Sequence, residues 1–260
     1  MYIGIMNNPQ KPLEDEIQYL IDHEFDFLDY SMEPPQGLIS SSKAAQLRRR
    51  LSDYGKFSIG HTAYYLPIDT PFQPLRNAVT NLLCDQFDIF SEFGSTKVAI
   101  HLGFSYPHRF FTYAEKYGLW AEVLALLVPE AEKRGLTLIL ENVLNSKESL
   151  KLLKDLTKNF DKLGLLLDVG HANLNMPVNT VHNHIKLLGH RLQHVHLSDN
   201  FAKSDDLHLP LGAGGIPWGH VLKLIKQSGY NATFTLEIFS KERDYLLKSR
   251  EFLRAQWAMI

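Results

Sequence analysis

Short apolar runs alternate with longer segments of helical spacing along the whole chain. The runs are typical of buried strands, and there are eight of them, at residues 2–5, 27–30, 57–60, 97–100, 137–140, 164–167, 193–195 and 233–236. After each run, apolar residues recur every three or four positions, which predicts helices at residues 13–23, 40–53, 75–93, 110–134, 146–159, 178–189, 216–229 and 243–257. Regular alternation of strand and helix favours a parallel sheet covered by helices.

The number of strand–helix pairs indicates the form of that sheet. Eight pairs in 260 residues match a closed (β/α)₈ barrel, which takes about 250 residues. An open, doubly wound sheet more often begins with a glycine-rich turn, and the first turn here, Met6-Asn7-Asn8-Pro9, contains no glycine. No linker interrupts the pattern, so we predict a single α/β domain over residues 1–260, a TIM barrel.

Composition narrows the partners. A formal charge of −2 gives no strong overall attraction to nucleic acid or to an anionic membrane. No apolar run is long enough to cross a membrane, and the chain opens on a strand rather than a leader peptide. The one cysteine, Cys84, excludes an internal disulfide. We therefore expect a cytoplasmic protein without a membrane partner, and its oligomeric state stays open.

The residues that end the predicted strands carry the candidate chemistry. The last six strands end, in order, at His61, His101, Glu141, Asp168, His196 and Glu237. In a closed barrel the carboxyl ends of all strands meet at one face, where the active site lies. A carboxylate at the end of a buried strand is costly unless it is paired or binds a metal. Three carboxylates and three histidines at six consecutive strand ends therefore predict a metal site.

Three further candidates lie in adjoining loops. His171 follows Asp168 by three residues, and Asp206 and His208 lie in the loop after the seventh strand. Mixed imidazole and carboxylate ligands suit Zn²⁺ or Mn²⁺, and we expect one to three ions. His194 lies two residues before His196 on the same strand, and we assign it a structural role deeper in the barrel.

Other side chains at the predicted mouth are candidates for contact with a small-molecule substrate. Glu33 lies just past the second strand and His108 lies in the loop after the fourth. His101 could orient a substrate hydroxyl, and Trp218 could form an apolar wall of the pocket.

Several motifs resemble the xylose isomerase-like TIM-barrel superfamily over nearly the whole chain. They are Leu140-Glu-Asn, Leu167-Asp-Val-Gly-His171, His194-Val-His-Leu-Ser-Asp199, His208-Leu-Pro-Leu-Gly-Ala-Gly-Gly-Ile-Pro-Trp218 and Leu236-Glu237. This superfamily includes sugar and sugar-phosphate isomerases and epimerases, and also the endonuclease IV enzymes (AP endonuclease family 2). In the isomerase branch two glutamates, an aspartate and a histidine hold one metal, and the resemblance assigns these roles to Glu141, Glu237, Asp168 and His196.

The endonuclease IV branch implies a larger site. Nine ligands hold three zinc ions there, and all nine positions are filled in this chain: His61, His101, Glu141, Asp168, His171, His196, Asp206, His208 and Glu237. The signatures nevertheless differ, because Asp168-Val-Gly-His replaces Asp-Thr-Cys-His and Asp206-Leu-His-Leu replaces Asp-Arg-His-His. The isomerase pattern is incomplete as well, since an arginine common after the seventh strand is absent and Ala202 and Lys203 occupy that stretch.

These observations leave three functions open. The first expectation is a divalent-metal-dependent isomerase or epimerase of a sugar or sugar phosphate, working through an enediolate, with Glu141 and Glu237 as base and acid and His171 orienting the substrate. The alternative is a multinuclear zinc phosphodiesterase, with DNA as a partner only in that case. The third is a barrel whose metal site has degenerated.

Overall fold

A computed structural model describes residues 1–260 as a closed barrel of eight parallel strands. Each strand pairs with the next along the chain, and the last pairs with the first. The strands are Tyr2–Met6 (β1), Phe27–Ser31 (β2), Phe57–His61 (β3), Ser95–Leu102 (β4), Thr137–Asn142 (β5), Gly164–Asp168 (β6), Leu192–Leu197 (β7) and Thr233–Leu236 (β8). The predicted (β/α)₈ barrel is therefore confirmed.

Eight α-helices surround the barrel, one after each strand. They are Leu13–Asp22 (α1), Ser41–Asp53 (α2), Gln73–Phe93 (α3), Tyr113–Lys133 (α4), Lys147–Asn159 (α5), Val181–Leu188 (α6), Trp218–Gln227 (α7) and Asp244–Met259 (α8). None of them is both long enough and apolar enough to cross a membrane.

Two helices begin three residues later than their apolar spacing predicts, and local hydrogen bonds explain both. Thr112 and Glu115 form a reciprocal capping box, so α4 begins at Tyr113 rather than at residue 110. The Asn179 side chain accepts a hydrogen bond from the backbone N–H of Val181, which forms a turn where the sixth helix was expected to have started. Side chains that bond to nearby backbone favour such starts over a longer helix.

Side chains alternate between the helices and the barrel interior along each strand. On β2, Tyr30 points outward, where its ring lies 5.5 Å from that of Phe90 and 4.6 Å from that of Phe93 on α3. Inside the barrel, Ala99, Ile139 and Leu166 form a separate small apolar cluster. The next inward positions on β4, β5 and β6 are His101, Glu141 and Asp168, so the pleat itself turns these side chains toward the mouth.

Gly60 provides a test of the packing between barrel and helices. A Cβ atom at this position would lie 2.5 Å from the buried ring of Phe90. We expect Gly60→Ala to lower the free energy of unfolding by about 1–3 kcal/mol, because the ring has no free space to move into. Urea unfolding followed by circular dichroism measures this change.

Gly118→Ala is the matched control for that substitution. Gly118 lies exposed within α4, and nothing lies within 4 Å of the added methyl group. This variant should gain about 0.5–1 kcal/mol, since alanine restricts the unfolded chain more than glycine does. Equal effects of the two substitutions would contradict the packing argument.

Candidate metal centre

The six strand-end residues meet at the carboxyl-terminal mouth of the barrel. Strand register sets neighbouring ones side by side, because His101 pairs with Glu141 and Asp168 pairs with His196. Glu141, Asp168 and His196 are buried beneath the mouth, whereas His61, His101 and Glu237 also line the open cavity above it. The parallel barrel therefore brings together residues that are 176 positions apart at the extremes, from 61 to 237.

Four residues, Glu141, Asp168, His196 and Glu237, form a central group at the bottom of this mouth. His196 Nδ1 is 3.2 Å from Glu237 Oε2 and 3.8 Å from Asp168 Oδ2. Glu141 lies next to Asp168. The two residues and His171 form a cluster of potential ligand atoms. Four buried atoms of the group lack a hydrogen-bond partner, namely Glu141 Oε1, Asp168 Oδ2, His196 Nδ1 and Glu237 Oε2. Buried polar atoms normally have partners, so each of the four has a free position for a ligand bond.

The electrostatics of the central group call for positive charge. Burial raises the pKa of Asp168 to about 7, and Glu237 and Glu141 add to the increase against the opposing effect of His171. Burial also disfavours the charged form of Glu141, but His101, His171 and His61 outweigh it and hold the pKa of that carboxyl well below its usual range. Carboxylates so close together need imidazolium groups or a cation beside them.

Two histidines flank Glu141 on one side. His61 Nε2 is 3.0 Å from Glu141 Oε2, and His101 Nε2 is 3.4 Å from the same oxygen. The other ring nitrogen of His61 donates to the backbone carbonyl of Thr62 at 2.9 Å. Because a carbonyl only accepts, the neutral form of His61 carries its lone pair on Nε2, where a metal can take the place of the hydrogen bond to Glu141.

Asp206 joins two histidines on the other side of the mouth. Its Oδ2 atom is 3.0 Å from His171 Nε2 and 3.0 Å from His208 Nε2. The Nδ1 atoms of these rings point to the backbone carbonyls of Asn142 and Glu237, each at 3.0 Å. Hence both rings, like that of His61, present Nε2 to the site. The three loop candidates lie together and adjoin the central group, since His171 Nδ1 is 3.0 Å from Glu141 Oε1.

The substrate candidates fall in two classes. Glu33 and His108 line the cavity above the central group, which has a volume of about 1030 Å³. Trp218 does not line this cavity. The ring is 4% exposed, and its indole N–H donates to Asp199 Oδ2 at 2.8 Å. Asp199 also accepts from the backbone of Gly212 and Ile216, so Trp218 helps to fix the loop after β7.

A family model described as "Xylose isomerase-like TIM barrel" matches residues 17–256. The chain belongs to this family. A curated relative, an uncharacterised protein of Methanocaldococcus jannaschii, is 30% identical over 188 residues. That match covers 69% of this chain and 62% of the relative, so it spans less than two thirds of that protein's length.

Solved structures of similar fold carry names of sugar epimerases. A D-tagatose 3-epimerase-like protein is 25% identical, with a TM-score of 0.85 over 100% of this chain and 98% of its own. D-Psicose 3-epimerase from Clostridium cellulolyticum H10, solved with D-tagatose, is 16% identical, with a TM-score of 0.80 and 99% of both chains covered. A structure of IOLI protein with a bound zinc atom is 15% identical, with a TM-score of 0.76 over 98% and 96% of the two chains. The last two likenesses concern the fold alone.

One residue beside the central group, Asp29, is not predicted by the sequence. Asp29, in the middle of β2, is fully buried and lies within 2.9 Å of His196 Nε2 and 3.1 Å of His194 Nε2. Its only signal in the sequence is an acidic residue inside an apolar run. The expected deep, structural position of His194 agrees with these contacts, since its ring is fully buried.

Asp168 provides a test of the charge balance in the xylose isomerase-like centre. In metal-free protein its folded pKa of about 7 lies above its ordinary value of 3.8, so stability falls as the pH rises from about 4 to about 7 and stays lower above that. We therefore expect Asp168→Asn to raise the melting temperature of chelator-treated protein, and to raise it more at pH 8 than at pH 5.5. Differential scanning calorimetry at both pH values measures the difference.

Zinc should reverse the sign of that comparison. Saturating Zn²⁺ should stabilise the unaltered protein by about 2.7 kcal/mol at a hundredfold excess over Kd, whereas Asp168→Asn loses a ligand and most of this gain. Asp88→Asn, at an exposed surface carboxylate, is the control and should follow the unaltered protein. An Asp168→Asn protein that gains as much from zinc would refute a role for Asp168 as a ligand.

Proposed function

We propose that this protein is a divalent-metal-dependent isomerase or epimerase of a sugar or sugar phosphate. The observation that carries the proposal is the set of four buried ligand atoms without a hydrogen bond on Glu141, Asp168, His196 and Glu237, which belong to two potential metal groups that share Asp168. The 25% identity to a D-tagatose 3-epimerase-like protein over the whole chain supports the same reaction class.

One imidazole nitrogen and three carboxylate oxygens make a donor set that fits Zn²⁺ or Mn²⁺. The ion would be held by the four residues of the central group, which are 0–6% exposed and so keep competing water away. When bound, such an ion polarises the carbonyl and hydroxyl oxygens of a sugar and makes the adjoining C–H group more acidic. Zinc-containing structures of the same fold agree with this choice of cofactor.

The chain's own residues would then move the proton. Glu141 is the last residue but one of β5 and Glu237 follows β8, so the two carboxylates approach a substrate from different sides of the mouth. One removes the proton next to the carbonyl and the other returns one to the opposite face of the resulting enediolate, which inverts the carbon. Their low pKa values leave both carboxylates ionised, as a base must be before it accepts a proton.

Neighbouring side chains would orient the sugar. His101 is partly exposed to the cavity beside Glu141, and burial lowers its pKa to about 4, so the ring stays neutral and can bond to a hydroxyl. His171 lies on the far side of Glu141, 3.0 Å from Oε1. Glu33 and His108 also line the cavity and would contact the rest of the substrate.

Glu141→Gln tests the assignment of the base. Without its carboxylate, kcat should fall by about 10²–10⁴-fold, the range that general acid–base catalysis contributes, while sugar binding persists. The assay follows deuterium uptake from D₂O and epimer formation by NMR, with D-tagatose and D-psicose as substrates and with metal content measured on the same samples. Glu92→Gln, on the exposed face of α3, is the control. Retained turnover in Glu141→Gln would exclude Glu141 as the base.

A second candidate function has one specific observation in its favour. His61, His101 and Glu141 form one potential metal group, and His171 and His208 both contact Asp206 beside it. Together with the central group they would suit three zinc ions, which can bind a phosphodiester, activate water and stabilise the leaving oxygen. This candidate is a multinuclear zinc phosphodiesterase resembling endonuclease IV.

The number of bound ions separates the two candidates. Elemental mass spectrometry on protein purified without added metal should give about one ion per chain for the isomerase, because that reaction needs an ion at the central group alone. In that case Asp206→Asn should leave the ion bound, while Asp168→Asn releases it. Two or three zinc ions, with a loss in Asp206→Asn, would favour the phosphodiesterase, and a content near zero would indicate a degenerate site.

A further inference from the structure

A buried hydrogen-bond network lies in the barrel interior directly below the central group. Asp29 Oδ2 accepts three hydrogen bonds, from His196 Nε2 at 2.9 Å, His194 Nε2 at 3.1 Å and Thr235 Oγ1 at 2.7 Å. All four residues are fully buried, so water cannot take the place of any partner. The network joins β2, β7 and β8, and only His196 also faces the central group.

The chemistry of the partners fixes where each hydrogen lies. A carboxylate oxygen only accepts, so the nitrogens of His196 and His194 that face Asp29 must both carry hydrogen. The second nitrogen of His194, Nδ1, is then free to accept from the hydroxyl of Thr233, 2.8 Å away. Every donor in this network is therefore matched to an acceptor, and its hydrogen bonds run in one direction, from Thr233 through His194 to Asp29.

His196 differs from the other histidines of the mouth in this respect. His61, His171 and His208 each have Nδ1 tied to a backbone carbonyl and present Nε2 to the site. His196 has the opposite orientation, because its Nε2 atom bonds to Asp29 below and its Nδ1 atom faces the site. The partner that orients this ring is thus a side chain rather than a backbone carbonyl. A substitution can therefore remove it.

We propose that Asp29 is a positioning residue for the metal centre. It holds His196 with hydrogen on Nε2 and with the Nδ1 lone pair directed between Asp168 and Glu237. Without that acceptor, the two carboxylates would draw the hydrogen to Nδ1, 3.2 and 3.8 Å from them, and that nitrogen could no longer bind a metal. The inference rests on the proposed function only in treating the central group as a divalent-metal site.

Asp29→Asn tests the proposal through metal affinity. The zinc dissociation constant, measured by competition with a chromophoric chelator, should rise about 10–100-fold, as is usual when the partner of a ligating histidine is lost. Asp69→Asn is the matched control, because Asp69 is also buried at 2% exposure but bonds to Ser105 rather than to a candidate ligand. The control should bind zinc within about twofold of the unaltered protein, and circular dichroism and urea unfolding of metal-free samples check that both variants fold. Equal affinities of Asp29→Asn and the unaltered protein would overturn the proposal.

A second measurement needs no variant at position 29 to fold. Long-range ¹H–¹⁵N spectra of zinc-loaded protein labelled at histidine distinguish the two forms of each neutral ring, and the His196 signal is assigned by its absence in His196→Gln. We expect hydrogen on Nε2 of His196. Hydrogen on Nδ1 would overturn the proposal whatever Asp29→Asn does.

These tests separate this inference from the proposed reaction, because neither uses a sugar. Zinc binding that depends on Asp29, without any epimerisation, would support the positioning role and reject the sugar chemistry alone. Failure of the unaltered protein to bind zinc would overturn both the metal part of the proposed function and the role of Asp29.

Discussion

The burial of three carboxylates at neighbouring strand ends is the constraint on which the rest of this barrel mouth depends. Glu141, Asp168 and Glu237 are each at most 6% exposed, and they lie too close together to be charged without compensation. Histidines from β3, β4 and β7 surround them. A structure that relied on protonated imidazoles alone would depend strongly on pH, whereas a bound cation removes that dependence.

The barrel interior supports this arrangement unevenly. Below the mouth, the strands β4 to β6 contribute the apolar cluster of Ala99, Ile139 and Leu166. On the opposite side, β2, β7 and β8 contribute the polar network around Asp29. The apolar half holds the strands in place by packing, whereas the polar half orients the His196 ring. Both are needed, since a ligand must be held both in position and in rotation.

Much of the fold and of the centre could be predicted from the sequence, for a simple physical reason. Strand ends in a parallel barrel share one face, so the six residues from His61 to Glu237 could be brought together without coordinates. Asp29 could not be found in this way, because its role depends on which residues of β7 and β8 lie across the barrel from it. The position of Trp218 could not be predicted for a related reason, since the direction of its side chain is set by Asp199 and the loop after β7. Neither contact has a signature in the local sequence.

The closure of the barrel between β1 and β8 has a consequence for how the protein is made. Strands β3 to β7 carry the candidate ligands of residues 61–196, but Glu237 follows the last strand, which pairs with the first. A chain emerging from the ribosome therefore exposes its acidic strand ends before the ring that encloses them exists. The central group is complete only once nearly all 260 residues are available. Any ion that this group binds can therefore be captured only late in the synthesis of the chain, once the barrel has closed.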